Sequence, residues 1–517
     1  MSKVSRFVTV AALVLAGNVT ATAPALAAPE SAPAARAASA TAVNLYVNNR
    51  SKACSDRGPG SRARPFCSIQ AAANATRPGT TVNILGTGKN YGPVTISRSG
   101  TAKAPIVFLS VVSANFTPHI SAGVHRPLFS LVGVHDVALV GLWATQTANQ
   151  PVVSLRRSTR VSLTSVRLGV HPRALPPAGA GASALDVDGA SSDIRVTSSQ
   201  VRANSGGATV AIRPGARRVT LSRNVIGYSS TRVVPRRTLG SGIVVDRATS
   251  VIVNGNSVQG VACAPGIFVT GRSTAIVVNN VVNSIAPRTC TTRRAAAIGV
   301  ETTAARGVRA DYNALHTAAP ASLYLWKGKA YSTVRAFRAA TGHGGHDLSS
   351  RVRWELGGPP EKSPLIDSAD NTAPGAAARD ADGNRPADDP LVRNTGRGRG
   401  YADRGAYERH DQILISDNIG LSYGYGPVPL TITVDVPRVT TSSWGYPVTY
   451  TVDFGDGTRV PATARQEVRH TYTTPGHYAV WTTARTSAGY EVSTCGRADA
   501  VAPGDTGPTD TMPCGDR

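Results

Sequence analysis

The chain has 517 residues, enough for two or three domains with a substantial buried core. It is strongly basic, with 55 Lys and Arg against 31 Asp and Glu and a formal net charge of +24. Such a charge suits an acidic glycan, an anionic cell wall or nucleic acid, although a soluble surface with skewed arginine usage would also produce it. We expect no nucleic acid partner, because no recognised motif accompanies the charge and only 5% of the residues are aromatic.

The N terminus has the pattern of a secretory signal. Two basic residues precede an apolar run from 7 to 17, and a small-x-small cleavage site ends at Ala27. Residues 1–27 are therefore predicted to be a signal peptide, and residues 28–42, rich in Ala, Pro and Ser, a disordered linker. We expect a secreted, extracellular protein with no membrane span, because no later run approaches the roughly 18 apolar residues of a transmembrane helix.

The first folded segment, residues 43–100, is predicted to hold two strands and a short helix. A strand at 45–47 leads through a Gly/Pro loop to a helix that begins near Ser68, and a turn then leads to a strand at 82–85. The helix is placed to cover the open end of the core that follows, which makes this segment an N-terminal cap and first coil.

Residues 101–319 repeat a hydrophobic pair, a turn, and a second hydrophobic pair. Three residues after the second pair stands a column of Ser199, Asn224, Asn256, Asn280 and Asn313, preceded at the same place by Leu142 and Val166. The successive spacings of this column are 24, 33, 25, 32, 24 and 33 residues. The clearest pairs are Leu185/Val187 with Ile194/Val196, Val210/Ile212 with Val219/Leu221, Ile243/Val245 with Val251/Val253, Ile267/Val269 with Ala275/Val277, and Ile298/Val300 with Val308/Ala310.

The repeat predicts stacked coils of short strands. Apolar residues alternate with polar or small ones within each pair, which is the period of a strand with one buried face, and no helical pattern intervenes. A unit this small must stack on its neighbours, and about 24 residues per turn favours a right-handed parallel β-helix, an all-β fold, with coils roughly 4.8 Å apart. The pattern resembles the pectate-lyase-like family of parallel β-helix proteins, with the Asn column as its stacked ladder. That superfamily contains lyases, hydrolases, epimerases, adhesins and inert surface proteins, so the resemblance implies the fold rather than one activity.

Residues 320–410 are predicted to form a C-terminal cap. Ser332 is a candidate N-cap for a helix through Ala340 that stops at Gly342. The segment SPLID at 363–367 and the ending YADRGAYE at 401–408 resemble segments that close the β-helix in proteins of this kind. Residues 411–424 would then be a linker.

Residues 425–500 resemble a PKD-type domain, a small immunoglobulin-like β-sandwich. The resemblance rests on VTYTVDFGD at 448–456 and HTYTTPGHYAV at 470–480. We expect Asp456 and Gly457 to supply the positive φ angles that a tight hairpin requires. Such modules usually serve as spacers or as contacts to protein or polysaccharide, and 501–517 remain as a tail.

Six cysteines in an exported chain indicate three disulfides. Fifteen connectivities are open in principle, and the spacings favour Cys54 with Cys67, Cys263 with Cys290, and Cys495 with Cys514. No C-x-x-C spacing supports a metal-thiolate site, so we expect no structural metal.

One outward column carries charges that could be structural or chemical. It consists of Arg156, Asp188, Arg213, Asp246, Thr270 and Glu301, and one interpretation is a cross-strand ion-pair ladder. The alternative is catalysis by Asp188, Arg213, Asp246 and Glu301. Lyases on this fold use an Arg or Lys base together with carboxylate-bound Ca²⁺, and Asp186 is a further candidate ligand for that ion. A hydrolase would instead use Asp246 and Glu301. These two residues lie two coils apart, roughly 9.6 Å, which is within the range of carboxylate separations found in inverting hydrolases. No cofactor is expected unless the protein is a lyase, in which case Ca²⁺ would be.

Long insertions leave alternate coils at one corner. From the Asn column to the next coil's first strand there are 11, 19, 11, 19, 11 and 18 residues. The long insertions would repeat about every 10 Å along the stack and flank a basic groove. They carry Arg173, Arg232, Arg236, Arg237, Arg288, Arg293 and Arg294. We therefore expect a secreted monomer that binds extracellular, acidic polysaccharide or cell-wall glycan; the alternatives are a polysaccharide lyase or glycoside hydrolase, and a structural spacer or adhesin.

Overall fold

The computed structural model describes residues 43–113, 116–171, 181–203, 206–227, 240–261, 263–285, 295–318, 321–349, 358–414 and 423–504. The chain divides into two compact units. One comprises Met1–Pro386 and Asn394–Glu408, and the other Ala387–Arg393 and Arg409–Arg517.

The first unit is built from three sheets whose strands are parallel except for a terminal hairpin. The first sheet has ten strands: Val43–Val47, Thr80–Leu85, Ile106–Val111, His135–Val140, Thr159–Thr164, Ser192–Thr197, Arg217–Ser222, Val251–Asn254, Ala275–Val278 and Val308–Asp311. The second sheet has nine: His119–Ala122, Trp143–Gln146, Arg167–Val170, Gln200–Ala203, Val225–Gly227, Ser257–Val261, Val281–Ile285, Ala314–Ala318 and Leu348–Ser349. The third sheet has ten: Val94–Ile96, Phe129–Val132, Val153–Arg156, Leu185–Val187, Val210–Ile212, Ile243–Asp246, Ile267–Thr270, Ala296–Val300, Ser322–Trp326 and Lys329–Tyr331.

Each coil passes through the third, the first and then the second sheet, and the predicted pairs stack in register. Val161, Ile194 and Val219 are direct neighbours in the first sheet, and each lies almost completely buried. The same alignment holds for Leu185, Val210 and Ile243 in the third sheet. The parallel β-helix prediction is therefore confirmed, with the apolar pairs forming one continuous core.

The Asn column lies at the corner between the first and second sheets, fully buried. The side-chain oxygen of each Asn accepts the backbone N–H of the residue one coil earlier, as in Asn256 to Asn224 at 3.0 Å and Asn280 to Asn256 at 2.9 Å. The column ends on a residue that the sequence pattern did not include. Asp347 accepts the backbone N–H of Asn313 at 2.6 Å and the hydroxyl of Tyr324 at 2.6 Å.

Both ends of the stack are covered. At the N-terminal end, a loop closed by the Cys54–Cys67 disulfide lies along the free edge of the first strand, where Tyr46 N–H donates to Gly60 O. Helix α1 (Ile69–Ala75), capped by Ser68 as predicted, buries Ile69 against the core.

At the other end, helix α2 (Val334–Thr341) places Phe337 over the core, stacked on Tyr324. Its N-cap is Thr333 rather than the predicted Ser332, because the Thr333 hydroxyl accepts the Ala336 N–H. Its C-cap is the predicted Gly342, at φ 74°.

The segments 363–386 and 394–408, which we call the strap, lie along the side of the β-helix. They contact successive coils over the Asn corner, for example where Asn254 Nδ2 donates to Pro374 O and Ala406 N–H donates to Ser257 Oγ. The region treated in the sequence as one closing cap therefore has two roles, since residues 321–347 cover the end and the strap covers a flank. The strap is fastened by a buried ion pair between Arg223 and Glu408, with a nitrogen–oxygen distance of 2.5 Å.

The second unit contains a small β-sandwich whose strands pair antiparallel, except that Tyr423–Pro427 pairs parallel with Glu491–Val501. One sheet has five strands, Tyr423–Pro427, Glu491–Val501, Gly476–Thr486, Val448–Asp453 and Arg459–Ala462, and the other two, Leu430–Asp435 and Glu467–Tyr472. His470 holds the FGDG hairpin through a 2.7 Å contact between its Nε2 and Asp456 Oδ2. The positive φ angles belong to Gly455 at 79° and Gly457 at 96°, so the expectation for Asp456 was wrong.

The Cys54–Cys67 disulfide is present as predicted. Cys263 and Cys495 are also disulfide-bonded. Their predicted partners, Cys290 and Cys514, lie outside the described residues, so these two pairings stay predictions.

Candidate functional site

The predicted charge column lies at the C-terminal ends of the third-sheet strands. Its register is the one expected from the sequence, because Val187 is aligned with both Leu155 and Ile212, and Asp246 with Thr270. Its charged side chains, however, are not joined to one another by hydrogen bonds. Arg213 binds Asp186 through two hydrogen bonds of 2.8 and 3.2 Å, and Asp246 binds its neighbour Arg247 at 3.2 Å.

The other two carboxylates of the column hold turns. Asp188 Oδ1 accepts the backbone N–H groups of Arg157 and Ala190 at 3.0 and 3.2 Å and the hydroxyl of Ser191 at 3.0 Å. Glu301 Oε2 accepts the Thr270 hydroxyl and the Gly271 N–H. The four candidates thus share one edge of the β-helix, each engaged in a local contact, and their catalytic role stays a prediction.

An ion-pair ladder is present on the neighbouring corner instead, where the first-sheet strands begin. Asp136 binds Arg160 through two hydrogen bonds of 2.8 Å, and Asp193 binds Arg218 through bonds of 2.6 and 2.7 Å. The hydrogen bond from Arg160 is the main reason that the pKa of Asp136 is lowered to about 2. These ion pairs stabilise the corner at which the first-sheet strands begin. The ion-pair ladder is therefore at this corner and not in the outward column of the third sheet.

The donors available do not form a calcium site. Within the described residues, no group of three or more His, Cys, Asp and Glu side chains is arranged to hold a metal ion. Asp186 and Asp246 each place both carboxylate oxygens on an arginine. The Ca²⁺ expected for a lyase therefore has no fitting set of ligands at this column.

All seven loop arginines predicted to bind ligand lie outside the described residues, in 172–180, 228–239 and 286–294. The strands that precede these three segments are described. The strands Arg167–Val170, Val225–Gly227 and Val281–Ile285 lead directly into these three segments, and all three belong to the second sheet. The outward face of the second sheet therefore borders the corner from which the loops leave.

That face has two outward columns. The column nearer the Asn corner is covered by the strap from Val225 onward, where Ala406 and Tyr407 pack on Val225, and Leu365 packs on Val281. The column nearer the loops is polar and forms a floor beside the strap. In register, its members are Thr145, Gly169, Arg202, Gly227, Gln259, Asn283 and His316.

Three basic side chains gather at the N-terminal part of the second-sheet face, Arg167 in the column nearer the Asn corner, Arg202 in the floor and His171 just after its strand; we call them the cationic face. The pKa of Arg167 is lowered by burial and then by the positive charge of Arg202. The pKa of His171 is lowered by desolvation and likewise by Arg202. Concentrated positive charge that is partly desolvated disfavours its own charged form, so an anion placed between these groups would stabilise them.

Acidic and aromatic groups of the strap border the cationic face. Asp382 and Tyr407 act on Arg167 in the opposite direction, favouring its charged form. Burial raises the pKa of Tyr407 to about 12, so its hydroxyl is neutral and a hydrogen-bond donor at ordinary pH. The face thus offers two guanidinium groups and a phenol edge on a rigid sheet, a set suited to carboxylate or sulfate groups and hydroxyls.

An exposed aromatic ring adjoins the cationic face. Trp143 is the second-sheet neighbour of Arg167, and the residue is 40% exposed. His119, one coil earlier, stacks on it with ring centroids 4.3 Å apart and an interplanar angle of 28°.

These residues could not be singled out in the sequence, because second-sheet strands are short and their outward positions look like ordinary surface. The signal was present in the alternation, since an outward Trp is followed by outward Arg residues on the next two coils.

Neither described helix has the length and apolar character needed to cross a membrane.

Comparison with known proteins finds one matching family model in each of the two compact units. A family model described as "Right handed beta helix region" matches residues 178–338, and one described as "PKD domain" matches residues 430–501. No curated protein matches the sequence.

Similar solved structures include three lyases. An alginate lyase from Paenibacillus sp. str. FPU-7 is 13% identical over 54% of this chain and 96% of that one, with a TM-score of 0.31. Pectate lyase Pel9A is 14% identical over 71% and 96%, with a TM-score of 0.32. A rhamnogalacturonan lyase is 12% identical over 54% and 75%, with a TM-score of 0.28.

The stacked register, the Asn column, the sandwich with its pinned hairpin and the two matching family models agree: this chain carries a right-handed β-helix region followed by a C-terminal PKD domain.

Proposed function

We propose that this protein binds an extended anionic polysaccharide, such as an acidic extracellular or cell-wall glycan, across the second-sheet face of its β-helix. The observation that carries the proposal is the cationic face beside the strap, where burial and then the positive charge of Arg202 lower the pKa values of Arg167 and His171. A polyanion lying there would relieve that electrostatic cost along its length.

The dimensions of the coil stack support a linear ligand. Coils repeat about every 4.8 Å, so two coils span about 10 Å, close to two sugar residues. The polar floor continues from Thr145 to His316 and would offer hydrogen bonds to successive sugars. The insertions at its margin would add Arg173, Arg232, Arg236, Arg237, Arg288, Arg293 and Arg294 to the same side.

Extracellular action is part of the proposal. It is supported by the signal-like N terminus and by the Cys54–Cys67 disulfide, which is typical of an oxidising compartment. The PKD domain would act as a spacer or as a further contact to the matrix.

Affinity electrophoresis or retention on immobilised anionic glycan at increasing salt tests the proposal. Loss of one guanidinium contact should weaken binding by about tenfold, on the order of 1.5 kcal/mol. We therefore expect Arg202→Gln to elute at lower salt than the wild type, and Arg236→Gln/Arg237→Gln to do the same if the loop takes part.

Arg195→Gln is the matched control. Arg195 lies on the same coil as Arg202 but points outward from the first sheet, where it is exposed. Equal effects of the Arg195 and Arg202 substitutions would mean that net charge alone causes retention, and the proposed site would be wrong.

A further inference from the structure

We propose that Trp143 is a stacking platform for a pyranose ring, so that the ligand is a glycan carrying an anionic group and not any linear polyanion. This inference rests on the proposed function and narrows its ligand class. Cationic side chains alone cannot distinguish a glycan from a polyphosphate, because both supply negative charge at regular intervals. A flat aromatic surface beside those charges can.

The indole of Trp143 is accessible to a ligand, and its position is unusual for a large apolar side chain. Trp143 is one of the few large apolar side chains of the described residues that are substantially exposed, at 40%, and it lies on a strand rather than a loop. His119 stacks against one face of the indole. A sugar ring would therefore add to the opposite face or to the exposed edge.

The platform is held in place by its neighbour. Both ring nitrogens of His119 are engaged, Nδ1 with Asn90 Oδ1 at 3.1 Å and Nε2 with Thr145 Oγ1 at 3.0 Å. The imidazole is thereby fixed, and the indole stacked on it loses little freedom when a ligand binds. Burial also lowers the pKa of His119, so the imidazole stays neutral and adds no charge of its own to the platform.

Register places the charge where a sugar substituent would reach it. Arg167 is the direct second-sheet neighbour of Trp143, and Arg202 is the neighbour of Gly169 on the following coil. One coil step is about 4.8 Å, comparable to the distance from the centre of a pyranose ring to an atom beyond its exocyclic carbon. A ring stacked on Trp143 therefore presents a carboxylate or sulfate group to Arg167, and the next sugar approaches Arg202.

The surfaces of a pyranose ring and of an indole are electrostatically complementary. One face of a pyranose carries C–H groups with partial positive charge, which complement the negative face of an indole. A polyphosphate has no such face, so it would use the arginines and leave the indole bare.

Binding of three probes to the full-length protein tests this: oligogalacturonate, a sulfated galactan and inorganic polyphosphate, each at the same ionic strength. Trp143→Ala should weaken binding of at least one of the two glycans by about five- to tenfold and leave polyphosphate binding unchanged, while Trp143→Phe keeps most of the affinity. Tyr401→Ala, which removes another exposed aromatic ring (42%) from the strap, is the control and should change none of the three.

If Trp143→Ala binds both glycans as tightly as the wild type does, Trp143 is not a stacking platform. The proposed function would still stand in that case, provided that the wild type is retained on glycan. Equal loss on polyphosphate would also overturn the platform, because the indole would then act by supporting the arginines. If the wild type is retained on neither glycan, the proposed function itself fails.

Discussion

Replacing Glu408 by Gln should loosen the strap from the β-helix. Glu408 has a side chain that is 0% exposed, and its partner Arg223 is 7% exposed. The substitution keeps the shape of the side chain but leaves the guanidinium of Arg223 buried without its counter-charge, although that group retains hydrogen bonds of 3.0 and 2.9 Å to Asp403 O and Gly405 O. Breaking one member of a buried pair costs about 3 to 5 kcal/mol, and the retained bonds favour the lower end.

The free energy of unfolding, measured by chemical denaturation, would report the loss. Asp193→Asn is the matched control, because Asp193 binds Arg218 with the same two-bond geometry but is 34% exposed. An exposed pair contributes about 0.2 to 1 kcal/mol. If Glu408→Gln costs no more than this control, the strap is not held by the buried pair. A Glu408→Leu/Arg223→Met double substitution should recover much of the loss, since a buried pair replaced by apolar groups is often neutral.

Asp347→Asn tests the end of the Asn column. Burial raises the pKa of Asp347 from 3.8 to about 6, so the proton is held more tightly in the folded state and wild-type stability falls as pH rises from about 4 to about 6. The stability of the variant relative to the wild type should rise by up to about 3 kcal/mol over that window in thermal denaturation; a difference independent of pH would contradict this. Asn256→Ala removes the acceptor of the Asn224 N–H and the donor to Leu221 O, at 3.0 and 2.9 Å. It should cost about 3 kcal/mol, against under about 0.5 kcal/mol for the exposed Asn44→Ala, and similar values for the two would refute the structural role of the column. Incubation with a uronate polymer and Ca²⁺ should give no unsaturated product in the ultraviolet, because both oxygens of Asp246 are bound to Arg247. Product that disappears in Asp246→Ala would show that this carboxylate takes part in catalysis.

The coil architecture could be predicted because each coil repeats the same local pattern of apolar residues. Residues such as Ile194 and Val219 recur at the interval of one coil and face the same core, and the recurring Asn residues carry an amide that can both donate and accept between coils. The position of the loops at one corner follows from the same count, since the spacing from the Asn column lengthens on alternate coils.

The charge pairing could not be predicted from the column alone. Arg213 was expected to interact along its own column, yet it reaches Asp186, which lies on the preceding coil two residues before the column member Asp188. Long side chains choose among several neighbours within a few ångströms, and strand register does not settle which one. The end of the Asn column on Asp347 was missed for a similar reason, because this residue follows a helix and has no place in the repeat.

The strap was assigned to the end of the stack because it follows the last coil in sequence. Its actual place depends on contacts between residues far apart, such as Arg223 with Gly405, and no pattern within the segment encodes them. This also hid the candidate site, since the second-sheet face acquires a border only when the strap lies beside it.

The strap also imposes an order on folding. Neighbouring coils join residues 24 to 33 positions apart, whereas the strap contact between Arg223 and Gly405 joins residues 182 positions apart. Closing the longer loop costs roughly 1.6 kcal/mol more in chain entropy, and non-local contacts of this kind form slowly. A chain that emerges N-terminal end first therefore winds its coils before the strap is available, and the flank beside Trp143 and Arg202 is completed last. Truncation before residue 363 would leave Val225 and Val281 exposed on a finished stack, and such a fragment should self-associate.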